Sequence, residues 1–236
     1  MRMKLLAIDT SGPVCGVAVM QDAQIVCDCA VNNKLTHSAN LMPMVDYALT
    51  ASGMTISDID RIAVVTGPGS FTGVRIGVST VKGLAHGANV PCVAVDALEA
   101  MAAGIPAFEG VICPIQDARA GQVYGAAFKA GMPPQRLMED IPLKLEDYVN
   151  TIKSFGDRFL FLGDGMPVHR ARLTELLGDA AVFAPPQNAY LRPASVAALA
   201  MNCEELLDYT ELMPMYLRAP SAERNKKLME AAKNDK

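Results

Sequence analysis

The segment KLLAIDTSGPVCGVAVMQDAQIVCDCAV (residues 4–31) sets the architecture. An apolar run, Lys4–Asp9, is halted by the polar turn Thr10-Ser11-Gly12-Pro13, and two further β-rich runs follow at Cys15–Met20 and Gln24–Val31. The spacers are too short for a crossover, so these strands read as antiparallel hairpins. The period then changes. Between Asn40 and Ala51, Leu41, Met44, Val45, Ala48 and Leu49 share one face at helical spacing, and Pro43 is compatible with a first turn. Arg61–Thr66 reads as a strand broken by Gly67-Pro68-Gly69, and Ser70–His86 as a helix. Residues 90–97 supply a strand and Ala97–Ala103 a short helix, so the order over residues 1–104 is βββαβαβα.

Three meandering strands followed by alternating helices and strands make the ribonuclease-H-like unit, and element order is a basis for fold class. The expectation is an α/β protein of the actin/heat-shock ATPase-like fold, with two βββαβα-type lobes, the second reduced. Residues 1–104 form the first lobe and residues 105–220 the second, degenerate one. That half opens with strand-like runs at Val111–Ile115 and Val123–Phe128, joined through Asp117-Ala118-Arg119-Ala120-Gly121. After the loop Met132-Pro133-Pro134 come a weak helix near Leu145–Lys153 and a strand at Arg158–Leu162 that ends in Gly163-Asp164-Gly165. A helix at His169–Leu177 and a short strand at Ala181–Phe183 follow. Pro193–Leu207 reads as an amphipathic helix with Val196, Leu199, Ala200, Cys203, Leu206 and Leu207 on one face, able to pack back on the first lobe. Residues 221–236 are a polar tail.

Composition narrows the function. The chain is 51% apolar and 19% charged, an ordinary globular balance that excludes a disordered or low-complexity protein. Lys and Arg number 21 against 25 Asp and Glu, a net charge of −4. Phosphate neutralisation dominates nucleic-acid affinity, so any RNA role is expected to be indirect or confined to a local patch. No apolar run reaches the ~18–20 residues of a membrane helix. The opening MRMKLLAIDTSGP has too short an apolar stretch for a signal peptide, so no membrane contact and a cytoplasmic location are expected. Cysteines 15, 27, 29, 92, 113 and 203 form no CxxC pair and sit mostly in apolar runs, as buried reduced thiols do. No Cys/His cluster has zinc-ligand spacing.

The most distinctive motif is TGPGSFTGVRIG, residues 66–77. It is a strand, a glycine-rich turn and a helix start that Ser70 or Thr72 can cap. Amide groups at such a start can hold an anion, so a phosphate loop is one reading. A tight strand-to-helix connection is the other. A Walker loop ends Gly-Lys-Ser/Thr, whereas Val74 follows Gly73, and a GxGxxG fingerprint would need glycine where Thr72 stands. Gly73 and Gly77 lie four apart with Thr80 on nearly the same face, and a glycine in a helix interior costs about 1 kcal/mol relative to alanine. The compensating gain is close approach by another backbone, in this chain or in a second protein. Asp9 ends the first strand, where this fold class places a metal-coordinating carboxylate, but an Asx-type turn with Thr10 and Ser11 explains it equally. Asp164 is the corresponding candidate in the second half. His37, His86 and His169 are dispersed, and neither HExxH nor GxSxG occurs.

LLAIDTS (5–11), HSANLMP (37–43), VVTGPGSFTGVRIGVSTVKGLAHGANVPCVAVDALEA (64–100), QDARAGQVYGAAF (116–128) and PMYLR (214–218) together resemble the TsaB (YeaZ) family. This bacterial family is needed to make threonylcarbamoyladenosine beside the anticodon of tRNA. The residues carrying the family motif are Asp9, Thr10, Ser11, Gly67, Pro68, Gly69, Ser70, Phe71, Thr72, Arg75, Asp117 and Arg119. In the paralogue TsaD, which transfers the threonylcarbamoyl group, the equivalent of Val95-Asp96-Ala97-Leu98-Glu99-Ala100-Met101 carries a metal-binding His-x-x-x-His. Here Ala97 and Met101 replace both imidazoles, and a thioether is a poor substitute for imidazole. The resemblance therefore implies a non-catalytic scaffold or activator without a metal of its own, ATP and metal belonging to partner subunits. It also implies a heterodimer with TsaD through a bundle of helices, the ATPase TsaE joining. The interface is expected at Gly73, Val74, Ile76, Gly77, Thr80 and Val81, with Leu41, Val45 and Ala48 beside them, and a homodimer is plausible for the isolated chain.

Two other functions use the same residues. An ATP-dependent phosphotransferase of the same fold, such as a sugar kinase, would draw on Asp9, the Gly67–Gly73 turn and Gly163-Asp164-Gly165, and requires the isolated chain to bind ATP. A peptidase needs a nucleophile with a base, or a metal, and no local signature supplies either.

Overall fold

The three opening strands pair as hairpins. In the computed structural model, which describes residues 3–217, these are β1 (Lys4–Asp9), β2 (Cys15–Gln21) and β3 (Gln24–Val31). β1 and β2 run antiparallel with Leu6 opposite Val19 and Ile8 opposite Val17. Helix α1 (His37–Ala51) then carries the chain to β4 (Arg61–Gly67), and α2 (Phe71–Ala88) carries it to β5 (Cys92–Asp96). Both strands add in parallel, giving the sheet order β3-β2-β1-β4-β5. Helix α3 (Ala97–Ala103) follows directly.

The second half repeats the plan. β6 (Val111–Arg119), β7 (Gln122–Lys129) and β8 (Gln135–Lys144) form antiparallel hairpins. Then come α4 (Leu145–Ile152), β9 (Phe159–Leu162), α5 (Gly165–Leu177), β10 (Ala181–Phe183) and α6 (Pro193–Met201). The order β8-β7-β6-β9-β10 matches the first sheet strand for strand, so the molecule is an α/β protein of the actin-like type. The second lobe is reduced in the length of its outer helices and parallel strands rather than in the number of its elements. Its β6, β7 and β8, with 9, 8 and 10 residues, are longer than β1, β2 and β3, with 6, 7 and 8. α1 and α2 have 15 and 18 residues against 8 and 13 for α4 and α5. β4 and β5 have 7 and 5 against 4 and 3 for β9 and β10.

Three apolar clusters make five layers. α1 and α2 pack on the outer face of the first sheet through Leu41, Val45, Val74, Val78 and Val81. α4 and α5 cover the second sheet through Leu145, Tyr148, Val149 and Leu173. α3 and α6 lie between the sheets: Leu98, Met101, Val196 and Ala200 join Leu5, Ala18 and Val95 of one sheet to Ile112, Phe128 and Leu162 of the other.

Two sequence expectations change. The sequence predicts no element over residues 135–144, where β8 forms, because QRLMEDIPLK is charged, contains Pro142 and buries only Met138. It is an edge strand, where one neighbour suffices and proline is tolerated. The expected helix over 193–207 stops at Met201. There Arg61 Nη1 donates to the carbonyls of Ala200 (3.4 Å) and Cys203 (2.9 Å), and Leu207 exchanges two main-chain hydrogen bonds with Cys92. Leu207 therefore packs with the first sheet's outer cluster, and Leu206 is exposed. The tail at 221–236, and Arg218 of PMYLR, lie outside the described residues.

Candidate functional site

The β1–β2 turn is built into the start of α2. Ser11 donates through its amide (2.8 Å) and hydroxyl (2.7 Å) to Asp9 Oδ1, the Asx-type turn. Thr10 Oγ1 donates to the Gly73 carbonyl at 2.7 Å, and the Ser70 amide donates to the Ser11 carbonyl at 2.7 Å. Ser70 in turn caps the helix by accepting from the Gly73 amide at 3.3 Å. Two missing side chains permit this fit. A Cβ at Gly73 would run into the Thr10 carbonyl, and one at Gly77 would lie 2.5 Å from Thr10 Oγ1 and 3.3 Å from Val64.

That geometry corrects the expected interface. The backbone approaching the glycine ridge is this chain's own β1–β2 turn. Gly73, Val74, Gly77 and Val81 are buried against it and the sheet, as are Leu41, Val45 and Ala48 of α1. None of the seven presents a surface to a partner. Ile76 and Thr80 are half-buried, and the outward faces carry Thr72, Arg75 and Ser79 on α2 and Met42, Asp46 and Tyr47 on α1.

Asp9 and Asp164, far apart in sequence, line one cleft between the lobes together with Ser11, Gly12, Met101, Gln116 and Tyr190. The cavity measures about 10 Å³, room for about one water. Burial pushes both carboxyls up from 3.8 to about 6, against the Ser11 hydrogen bonds at Asp9 and main-chain hydrogen bonds at Asp164. The Gln116 amide and Asp164 Oδ1 have no hydrogen-bond partner there. Asp117 accepts from the Arg119 amide at 2.9 Å, and its carboxylate stands 3.8 Å from His169 Nε2. The turn is thus closed by a main-chain donor. Among the described residues no three His, Cys, Asp or Glu side chains gather closely enough to hold a metal ion.

Ala97 and Met101 sit on α3 in the central layer, 0% and 4% exposed, with no donor atom better than a thioether. Asp96 caps α3, accepting from the Glu99 amide at 2.6 Å.

Phe71 and Arg75 have a role that sequence reasoning missed. The chain after Leu207 runs along α2, where Lys82 Nζ donates to the Leu212 carbonyl at 3.2 Å. It closes over the glycine turn with the Met215 amide donating to the Thr66 carbonyl at 2.7 Å. Tyr216 stacks on Phe71 at 4.7 Å and accepts from Arg75 Nε at 2.7 Å, while the Arg75 guanidinium lies 3.9 Å over the Phe71 ring. A Cβ at Gly67 would lie 2.6 Å from the Met215 carbonyl. The signal lies in Tyr216 of one motif and Phe71 and Arg75 of another, whose contact the sequence alone does not show.

An actin-like frame with this closed cleft and strapped glycine turn defines the broad class. Residues 32–226 match the family model described as "TsaD: tRNA N6-adenosine threonylcarbamoyltransferase". The tRNA threonylcarbamoyladenosine biosynthesis protein TsaB of Bacillus subtilis is 36% identical over 223 residues, covering 94% of this chain and 96% of that protein. TsaB of Escherichia coli is 40% identical over 129 residues, 54% of this chain and 55% of that one. A solved Pseudomonas aeruginosa structure, described as an uncharacterized protein with similarity to peptidase YEAZ, superposes with a TM-score of 0.77 at 27% identity. It covers 92% of this chain and 100% of that chain. The chain belongs to the TsaB (YeaZ) family of tRNA threonylcarbamoyladenosine biosynthesis. No helix among the described residues is long and apolar enough to cross a membrane.

Proposed function

We propose that this chain is a non-catalytic subunit of tRNA threonylcarbamoylation, binding and activating a TsaD transferase in a heterodimer, with the TsaE ATPase joining. The observation that carries the reading is the apolar burial of Ala97 and Met101, at the positions where the resemblance puts the transferase's imidazoles. Side chains committed to the layer between two sheets leave neither donors nor space for a metal. The small interlobe cavity and the net charge of −4 favour the same reading over phosphotransfer or independent tRNA binding. ATP and metal then belong to the partners. The contact surface is the outward face of α1 and α2, where Tyr47 is 62% and Met42 47% exposed. An exposed apolar pair of this kind also suits a homodimer in the isolated chain.

Reconstitution tests this. Given an activated threonylcarbamoyl donor, the purified chain alone should leave tRNA unmodified, and adding TsaD, TsaE and ATP to the same mixture should produce threonylcarbamoyladenosine. Tyr47→Glu should lower TsaD capture at least tenfold with an unchanged circular dichroism spectrum. Modification by the chain alone, or one bound equivalent of zinc or iron, would overturn the reading.

A further inference from the structure

β5 is an edge strand, and only its first residue is covered. Cys92 and Leu207 exchange a pair of main-chain hydrogen bonds, 2.8 and 2.9 Å, on the outer side of β5. Alternation puts Ala94 next on that side, since Val93 and Val95 face β4. Ala94 is exposed, and its N–H and C=O have no partner among the described residues. A free donor–acceptor pair at the next position of an existing ladder is a template for another strand.

A cavity of about 240 Å³ opens beside this edge, between β5, the end of α6 and the β7–β8 loop. Its apolar wall includes Val93, Val95, Leu199, Met132 and Pro133. Sites for whole small molecules run from roughly 300 to 1,000 Å³. This cavity suits a side chain or two delivered from a backbone alongside.

The end of the cavity is acidic. Asp96 and Glu99 line it, and among the described residues no basic side chain does. Both carboxylates share a single guanidinium, Arg136 Nη2, at 3.4 and 3.5 Å, and that group is also paired with Asp140. Burial and the hydrogen bond to the Asp140 carboxyl push Asp96 up to about 8, so Glu99 and Asp140 carry the negative charge opposite the one guanidinium, and one of the two is left unmatched.

The geometry points to a docking groove in which an extended segment of a partner protein adds to β5 at Ala94, fills the cavity with an apolar side chain and places a lysine or arginine beside Asp96 and Glu99. Strand addition draws affinity from main-chain hydrogen bonds and selectivity from pockets for alternate side chains, and both are present here. The groove lies apart from the outward face of α1 and α2, so it does not depend on the reading given above.

The test is selection of a random dodecapeptide phage library on the intact chain, followed by titration of the enriched peptides into 15N-labelled protein. Enriched sequences should alternate apolar residues and carry a basic one, and they should shift the Ala94 amide. Ala94→Pro, which removes an outward N–H and no sheet hydrogen bond, should weaken binding at least tenfold, and Glu99→Gln about threefold. If Ala94→Pro does not fold, the Ala94 shift in the unaltered chain decides alone. Four results would overturn the inference: no enrichment, peptides held equally by Ala94→Pro, an unmoved Ala94 amide, or an Ala94 amide already protected from exchange in the free chain.

Discussion

The β1–β2 and β6–β7 turns occupy equivalent places in the two lobes and have opposite fates. In the first, Thr10 and Ser11 are each 1% exposed, and their polar groups are consumed by the start of α2. In the second, Arg119, Ala120 and Gly121 are exposed and all three have positive φ. α5 begins as closely as α2, with Gly165 against the backbone of Ile115 and Asp117. It lacks a second inward glycine four residues later: His169 stands there, half-buried, with its Nε2 3.8 Å from Asp117 Oδ1. One topology therefore yields a welded joint in one lobe and an open turn in the other, the difference lying in Gly73 and Gly77. Gly77→Leu tests the weld most severely. With Thr10 and Val64 in the way, it should cost more than about 4 kcal/mol, read as loss of cooperative unfolding in urea. Normal folding with lost TsaD capture would return the ridge to a partner surface.

Asp9 sharpens the comparison next. Its folded-state proton is held up to about pH 6, whereas the unfolded carboxyl releases it near 3.8. The folded state binds more protons across that window, so stability falls as pH rises through it. Asp9→Asn keeps an acceptor for Ser11 without the buried charge. It should leave stability unchanged at pH 4 and raise it by on the order of 3 kcal/mol at pH 8, measured by urea midpoint at both. A gain independent of pH would show that the turn, not ionisation, carries the cost.

The welded lobe was also the more legible one. Its strands run apolar between short polar turns, so hairpins and crossovers follow from spacing, and α3 begins and ends where the pattern of residues 97–103 placed it. β8 escaped because an edge strand with one buried side chain carries no alternation to read. α6 was overextended because Leu206 and Leu207 continue its apolar period, while Cys92 and Arg61 claim that backbone from across the fold. The glycine ridge reads as a site of close approach by this chain or by a second protein, and only the fold shows the β1–β2 turn lying against it. A helix apolar all round does not reveal whose backbone lies against it. Asp9 and Asp164 were each singled out, but only the folded chain brings them to one cleft.

The strap over the glycine turn comes third in size. Tyr216 is 41% exposed, so its stacking on Phe71 and its bond from Arg75 are partly screened. Tyr216→Ala should cost about 1–2 kcal/mol, and Tyr216→Phe, which loses only the hydroxyl, about 0.5–1 kcal/mol. Hydrogen exchange at Met215 should accelerate in the alanine variant, since its amide closes the strap on Thr66. Unchanged exchange would mean that the main-chain bond holds the strap without the ring.

The smallest effect belongs to the open turn. Ala120 has φ 54°, a left-handed conformation that costs an L-residue roughly 1–2 kcal/mol and glycine almost nothing. Glycine also loses more conformational freedom on folding, about 0.5–1 kcal/mol, which offsets most of that relief. Ala120→Gly should therefore stabilise by about 0.5 kcal/mol, a rise in Tm of roughly 1–2 °C. That outcome requires Ala120 to hold nothing through its methyl group, which its exposure supports. A loss of stability would mean that the second turn is tied down as the first is, and the contrast between the lobes would then rest on α2 alone.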